Sequence, residues 1–150
     1  MKTLHQTLLF LFLVMLVSCQ TETKSIVKHH KSHEKTRLNV PFSDAVQVNN
    51  LYFLTGQIGK NHKTGKIVEG GIEAETKQVI FNIEAVLKHH KLTLKDVVKC
   101  NVILADINDF SKMNIIYPTF FEGNLPARTT FAANLVAGAK IEIEVVAARK

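Results

Sequence analysis

The chain has no tryptophan, and among its 150 residues there are only two tyrosines, three prolines and two cysteines. Two cysteines rule out a disulfide-rich scaffold. An internal pair is not expected either. Cys19 ends an N-terminal apolar segment, and Cys100 sits in the apolar run VVKCNVIL, where a thiol packs as a small hydrophobe. Net charge is +6, but no stripe of Lys and Arg with interleaved aromatics runs through the body, so a nucleic-acid partner is not expected. There is no convincing metal, flavin or nucleotide motif, and no internal repeat. The unbroken apolar run Leu8 to Val17 is ten residues long. As a helix it would rise about 15 Å, half of a bilayer core of about 30 Å, which excludes a span.

What that run does fit is a leader. Lys2 precedes it and is the only charged side chain in the first eighteen residues. A charged start, a short apolar core and a small residue before a cut describe a signal peptide over 1–18. Leu16-Val17-Ser18-Cys19 resembles the lipobox of bacterial lipoproteins. That resemblance implies cleavage before Cys19, diacylglycerol on its sulfur, and an extracytoplasmic address in the cell envelope, anchored to the membrane without spanning it. Two or more acyl chains anchor stably where one does not. Residues 19–38 read as a flexible basic tether, because KHHKSHEKTR at 28–37 is polar and lacks apolar periodicity. Its His29, His30 and His33 are expected to be solvated rather than to ligate a metal.

From 39 to 150 the pattern is that of one domain. Ala45–Val48, a turn at Asn49-Asn50 and Leu51–Thr55 predict a hairpin. Gln57–Gly71 carries four glycines and predicts a loop. Ile72, Thr76, Val79, Ile80, Ile83, Val86 and Leu87 fall on one helical face, predicting a helix from Ile72 to about His90. Glu73/Lys77 and Glu84/Lys88 are i,i+4 pairs on its other side. Val97–Leu104 predicts a central strand. A second helix is expected from Asn108 as N-cap, with Phe110, Met113, Tyr117 and Phe121 as its apolar stripe. Asn114 lies on that stripe, and Pro118 cannot donate to its carbonyl, which predicts a kink or a bound group there. Strands over 128–134 and 141–148 complete the order β-β-α-β-α-β-β. The fold class is α+β, a mixed sheet with two helices packed on one face. Period-2 alternation groups Arg128, Thr130 and Ala132, which are expected on the opposite face.

Arg128 and the carboxylates Glu142 and Glu144 are the candidate chemical residues. A guanidinium can grip a substrate carboxylate in two parallel hydrogen bonds, and a glutamate can move protons. The plain alternative for each is a solvated charge on the wet side of a strand.

The stretches PFSDAV at 41–46, YFLTGQIG at 52–59, KTGK at 63–66 and VVKCNVILADINDFSKMN at 97–114 occur in order. YPTFF at 117–121, PAR at 126–128 and KIEIE at 140–144 follow them. Together they resemble the RidA family (reactive intermediate deaminases, also YjgF or endoribonuclease L-PSP) from about Pro41 to Ala148. The resemblance implies a chorismate-mutase-like homotrimer with sites in the clefts between subunits and no cofactor. It implies hydrolysis of enamines and imines of 2-amino acids to 2-keto acids and ammonia. Arg128 would clamp the substrate carboxylate, and Glu142 would orient water or relay protons. Asn114, Thr55, Gly56, Phe42 and Thr130 would line the pocket. Phe42 stands where many of these deaminases have tyrosine, and Thr130 where cysteine is common. The alternative expectation is a trimeric lipoprotein that binds a small carboxylate without turnover. An RNA substrate, which the older family name would imply, is disfavoured by the missing basic stripe.

Overall fold

The computed structural model describes residues 24–150. The leader over 1–18, Cys19 and the first part of the tether lie outside the described residues. The domain is a sheet with two helices on one side. The strands are β1 Val27–His30, β2 Ala45–Val48, β3 Leu51–Leu54, β4 Gln57–Ile58, β5 Lys60–Asn61, β6 Lys66–Ile67, β7 Val97–Leu104, β8 Ala127–Ala132 and β9 Ile141–Ala148. The helices are α1 Gly71–His89 and α2 Phe110–Ile116. The main sheet runs β1-β2-β3-β9-β7-β8, with β4 paired to β9 and β5–β6 forming a separate hairpin. Only the β7–β8 pair is parallel, so the sheet is mixed.

Alternation along the two longest strands sorts the sheet into two faces. Cys100, Val102 and Leu104 of β7 and Ile141, Ile143, Val145 and Ala147 of β9 are buried on the helix side. The expected stripe of α1 is buried against them in full, joined by Glu75 and Asn82. Neither i,i+4 pair on the outer side of α1 closes to an ion pair among the described residues. Asn101 and Ile103 of β7 and Glu142, Glu144 and Val146 of β9 face the other way, where no helix of the described residues packs.

Four expectations change. The tether is structured from Val27: β1 pairs antiparallel with β2 over four residues, and a short 3-10 turn follows at Lys35–Arg37. Strand pairing satisfies the backbone of this polar segment without requiring an apolar face. The loop 57–71 contains β4, β5 and β6. The N-cap preceding α2 is Asp106, whose carboxylate accepts the Asn108 amide at 2.9 Å, and a 3-10 turn over Ile107–Asp109 leads into the helix. The kink expected at Pro118 is present, since α2 stops at Ile116 and tightens into a 3-10 helix over Tyr117–Phe120. Finally, Arg128 and Thr130 lie on the helix side of the sheet, because β8 pairs Arg128 with Cys100 and Thr130 with Val102.

Candidate active site

The candidate residues form two groups on opposite faces of the sheet. The first gathers around Glu142. Between Phe53, which pairs with Val146, and Gln57, which pairs with Ile143, the chain leaves the edge of β9. Thr55 and Gly56 fill that break, and the Glu142 carboxylate lies against the Gly56 backbone. A Cβ on Gly56 would collide with Glu142 Oε1, so glycine is what lets the carboxylate sit there. Phe42, Thr55, Gly56 and Glu142 line one cavity of about 710 Å³, with the β5–β6 hairpin on its wall. Burial raises the Glu142 carboxyl above the ordinary carboxylate range, and the charge of Glu144 on the same face adds to that rise. Glu144 itself is exposed, outside the cavity lining, and accepts a 2.6 Å hydrogen bond from Asn101 Nδ2.

The second group gathers around Arg128 on the edge strand β8. Its guanidinium carbon stands 4.8 Å from the centre of the Tyr117 ring and 5.6 Å from that of Phe110. Nη1 lies 3.8 Å from the Met113 sulfur. The α2 stripe thus serves as an aromatic cradle that holds the cation without neutralising it. Asn114, half-buried, lies one helical turn beyond Phe110. The Thr130 hydroxyl is buried without a partner. Tyr117 Oη also lacks a partner of hydrogen-bond geometry; the Cys100 thiol is its near neighbour. Burial pushes both the Cys100 thiol and the Tyr117 phenol upward, so neither ionises at neutral pH. Cys100 is free and fully buried, as a packing residue is.

Arg128 and Glu142 therefore do not meet within one copy. Cys100 pairs with Arg128 and Ile103 with Glu142. Ile103 lies three positions after Cys100 on β7, and an odd spacing puts the two side chains on opposite faces.

Several cavity residues carry no signal at the level of sequence motif. Arg37 contacts the fully buried Asp44 at 2.9 Å, and His62 Nδ1 contacts Glu34 Oε1 at 2.8 Å. The Arg37–Asp44 contact lacks hydrogen-bond alignment, and both Asp44 oxygens and Arg37 Nη1 remain without partners. His62 and Glu34 come from segments 28 residues apart, so nothing local marks that pair. Among the described residues no three His, Cys, Asp or Glu side chains are arranged to hold a metal.

The family model described as Endoribonuclease L-PSP matches residues 34–149. The chain belongs to this family. It is 43% identical over 108 residues to 2-iminobutanoate/2-iminopropanoate deaminase of Mus musculus, covering 71% of this chain and 80% of the mouse protein. It is 39% identical over 132 residues to the chloroplastic Reactive Intermediate Deaminase A of Arabidopsis thaliana, covering 87% of this chain and 71% of the plant protein. Among solved structures, a Rid-family protein of unknown function from Yersinia pestis superposes with a TM-score of 0.76 at 36% identity. That match covers 83% of this chain and all of the Yersinia chain.

Proposed function

We propose that this family member hydrolyses 2-imino acids and their enamine tautomers to 2-keto acids and ammonia, at sites assembled between copies of the chain. The observation that carries the reading is the presence of an aromatic-cradled guanidinium with no ion-pair partner among the described residues, and of a half-buried carboxylate in a cavity, in a chain 43% identical to a named imine deaminase. Arg128 takes the substrate carboxylate. Glu142 accepts a proton as water adds to the imine carbon, giving a carbinolamine, and returns it to nitrogen as the C–N bond breaks and ammonia leaves. Burial raises the Glu142 pKa, which makes its carboxylate a better proton acceptor for that transfer. The imine is intrinsically reactive, so orientation supplies much of what the protein must add.

Assembly supports the same reading. The helix-free face of the sheet presents Phe53 and Phe131 with about half of each side chain exposed, beside Val146 and Ile103. A two-layer domain buries such a face against something, and a homotrimer of the chorismate-mutase type would place Arg128 of one copy at the Glu142 cavity of the next.

The test is in situ generation of imines by an amino-acid oxidase with catalase present, semicarbazide trapping whatever survives. Wild-type protein should reduce trapping, and Arg128→Ala should lower kcat/KM by at least about a hundredfold. Unreduced trapping by folded wild type across the panel would leave the carboxylate-binding alternative in its place.

The address is proposed separately. Lys2, the run Leu8–Val17 and Leu-Val-Ser-Cys at 16–19 support lipidation at Cys19 and an extracytoplasmic, membrane-anchored protein. Cys19→Ala should release the protein from the membrane fraction; continued membrane association would count against the anchor.

A further inference from the structure

The cavity beside Glu142 has about 710 Å³, the volume class of sites that enclose drug-sized ligands, and a three- or four-carbon imino acid fills little of it. Four of its fifteen lining residues are basic. Lys60 and Lys63 stand on the β5–β6 hairpin, with His62 between them and Arg37 on the neighbouring segment. Glu142 is the one acidic residue of the lining.

Two of the cavity's basic residues already face acids, His62 against Glu34 and Arg37 against Asp44. The two lysines do not. Among the described residues neither ammonium has an ion-pair partner or a side-chain hydrogen bond. Nor is the hairpin a loose surface loop. Asn82 Nδ2, buried on α1, donates to the carbonyls of Ile58 at 3.1 Å and Lys60 at 2.9 Å. Gln78 fixes the Asn82 amide at 2.8 Å. Asn61 Oδ1 accepts the amides of Lys63 and Thr64, and Gly65 N closes the turn on Asn61 O at 2.8 Å. A held backbone that sets two lysines without ion-pair partners in one cavity lining, Lys60 half-buried and Lys63 exposed, is suited to bind an anion.

We infer that the site is built for imines of acidic amino acids. The distal carboxylate of a 2-imino dicarboxylate lies against Lys60 and Lys63, while the 2-carboxylate is taken by Arg128 of a neighbouring copy. The inference rests on the deaminase reading and specifies its substrate class. The reaction is the same hydrolysis: water adds to the imine carbon, the C–N bond breaks, and a 2-oxo dicarboxylate and ammonia leave. Lys60 and Lys63 are specificity residues, remote from the reacting carbon.

The experiment uses the full-length protein with 2-iminosuccinate and 2-iminoglutarate, made in situ by oxidases acting on aspartate and glutamate. The imines of alanine and leucine serve as monocarboxylic comparisons. Wild type should show a kcat/KM about tenfold higher on the dicarboxylic imines, a preference that shrinks as salt is raised. In Lys60→Ala/Lys63→Ala the ratio should fall to near one, and Lys60→Arg/Lys63→Arg should retain it. Equal rates on the two classes in wild type, or a ratio unmoved in the folded double-alanine variant, overturn the inference and leave the deaminase reading standing. Hydrolysis of neither class overturns both.

Discussion

At the scale of single residues the Glu142 environment gives two sharp expectations. Gly56 is constrained by what lies over it: an added methyl would occupy the space of the Glu142 carboxylate. Gly56→Ala should therefore displace that carboxylate and lower kcat about a hundredfold, as misplacement of a reacting group does, while thermal unfolding shows that the fold survives. Unchanged kcat would mean that Glu142 has no part in the chemistry. Glu144 acts on Glu142 through charge alone, raising its pKa from outside the cavity. Glu144→Gln removes that negative charge and lowers the Glu142 pKa. If ionised Glu142 is the base, the acid limb of the kcat/KM profile moves to lower pH, and the shift narrows with added salt. A limb that stays put would assign it to another group. Glu142 and Glu144 were legible as a same-face pair because strict Ile–Glu alternation leaves one arrangement for β9. Arg128 was not: the strand ARTTFA sets Arg and Thr against Thr and Phe, so alternation names two faces without saying which is inner. Its apolar member Phe131 points away from the helices, and its cation packs among aromatics.

At the scale of elements, β1 shows why a polar segment can hide a strand. Nothing in KHHK alternates, yet His30 meets the His90 ring at 4.6 Å and His33 stacks on His89 at 4.8 Å, which ties β1 to the end of α1. The helix stripe of α1 was readable because seven apolar or small residues repeat at 3.6 spacing; ring-to-ring packing between distant histidines leaves no such period. The same cluster sets a pH dependence. Burial, then the neighbouring His30, His89, Arg149 and His33, push the His90 pKa from 6.5 down to about 4. Between those values the unfolded chain binds a proton that the folded chain refuses, so stability is full above pH 6.5 and falls as pH drops toward 4. Urea unfolding midpoints at pH 7.5, 6 and 5 should decline in that order. His90→Gln should flatten the decline, whereas an equal slope in the variant would place its origin elsewhere.

At the scale of the whole molecule, one copy holds two incomplete constellations separated by the thickness of its own sheet. Glu142, Gly56 and Thr55 open on the helix-free side, and Arg128, Thr130 and the α2 aromatics stand on the helix side at the edge strand. No side-chain rotation carries a guanidinium across a packed sheet. On the proposed reading, a working site takes Arg128 and Glu142 from different copies, a relation invisible to any reading of one chain's periodicity. The arrangement makes complementation the decisive measurement. Arg128→Ala and Glu142→Gln should each be inactive alone. Unfolded together, mixed in equal amounts and refolded, they form hybrid assemblies in which a site works only when its arginine comes from the second variant and its glutamate from the first. Random mixing satisfies both conditions in about a quarter of the sites, so about a quarter of wild-type activity should return. Sites contained within one chain would give none, because every chain would then carry one lesion in its own site. A mixture that stays inactive while refolding to the wild-type assembly size would therefore contradict the shared site.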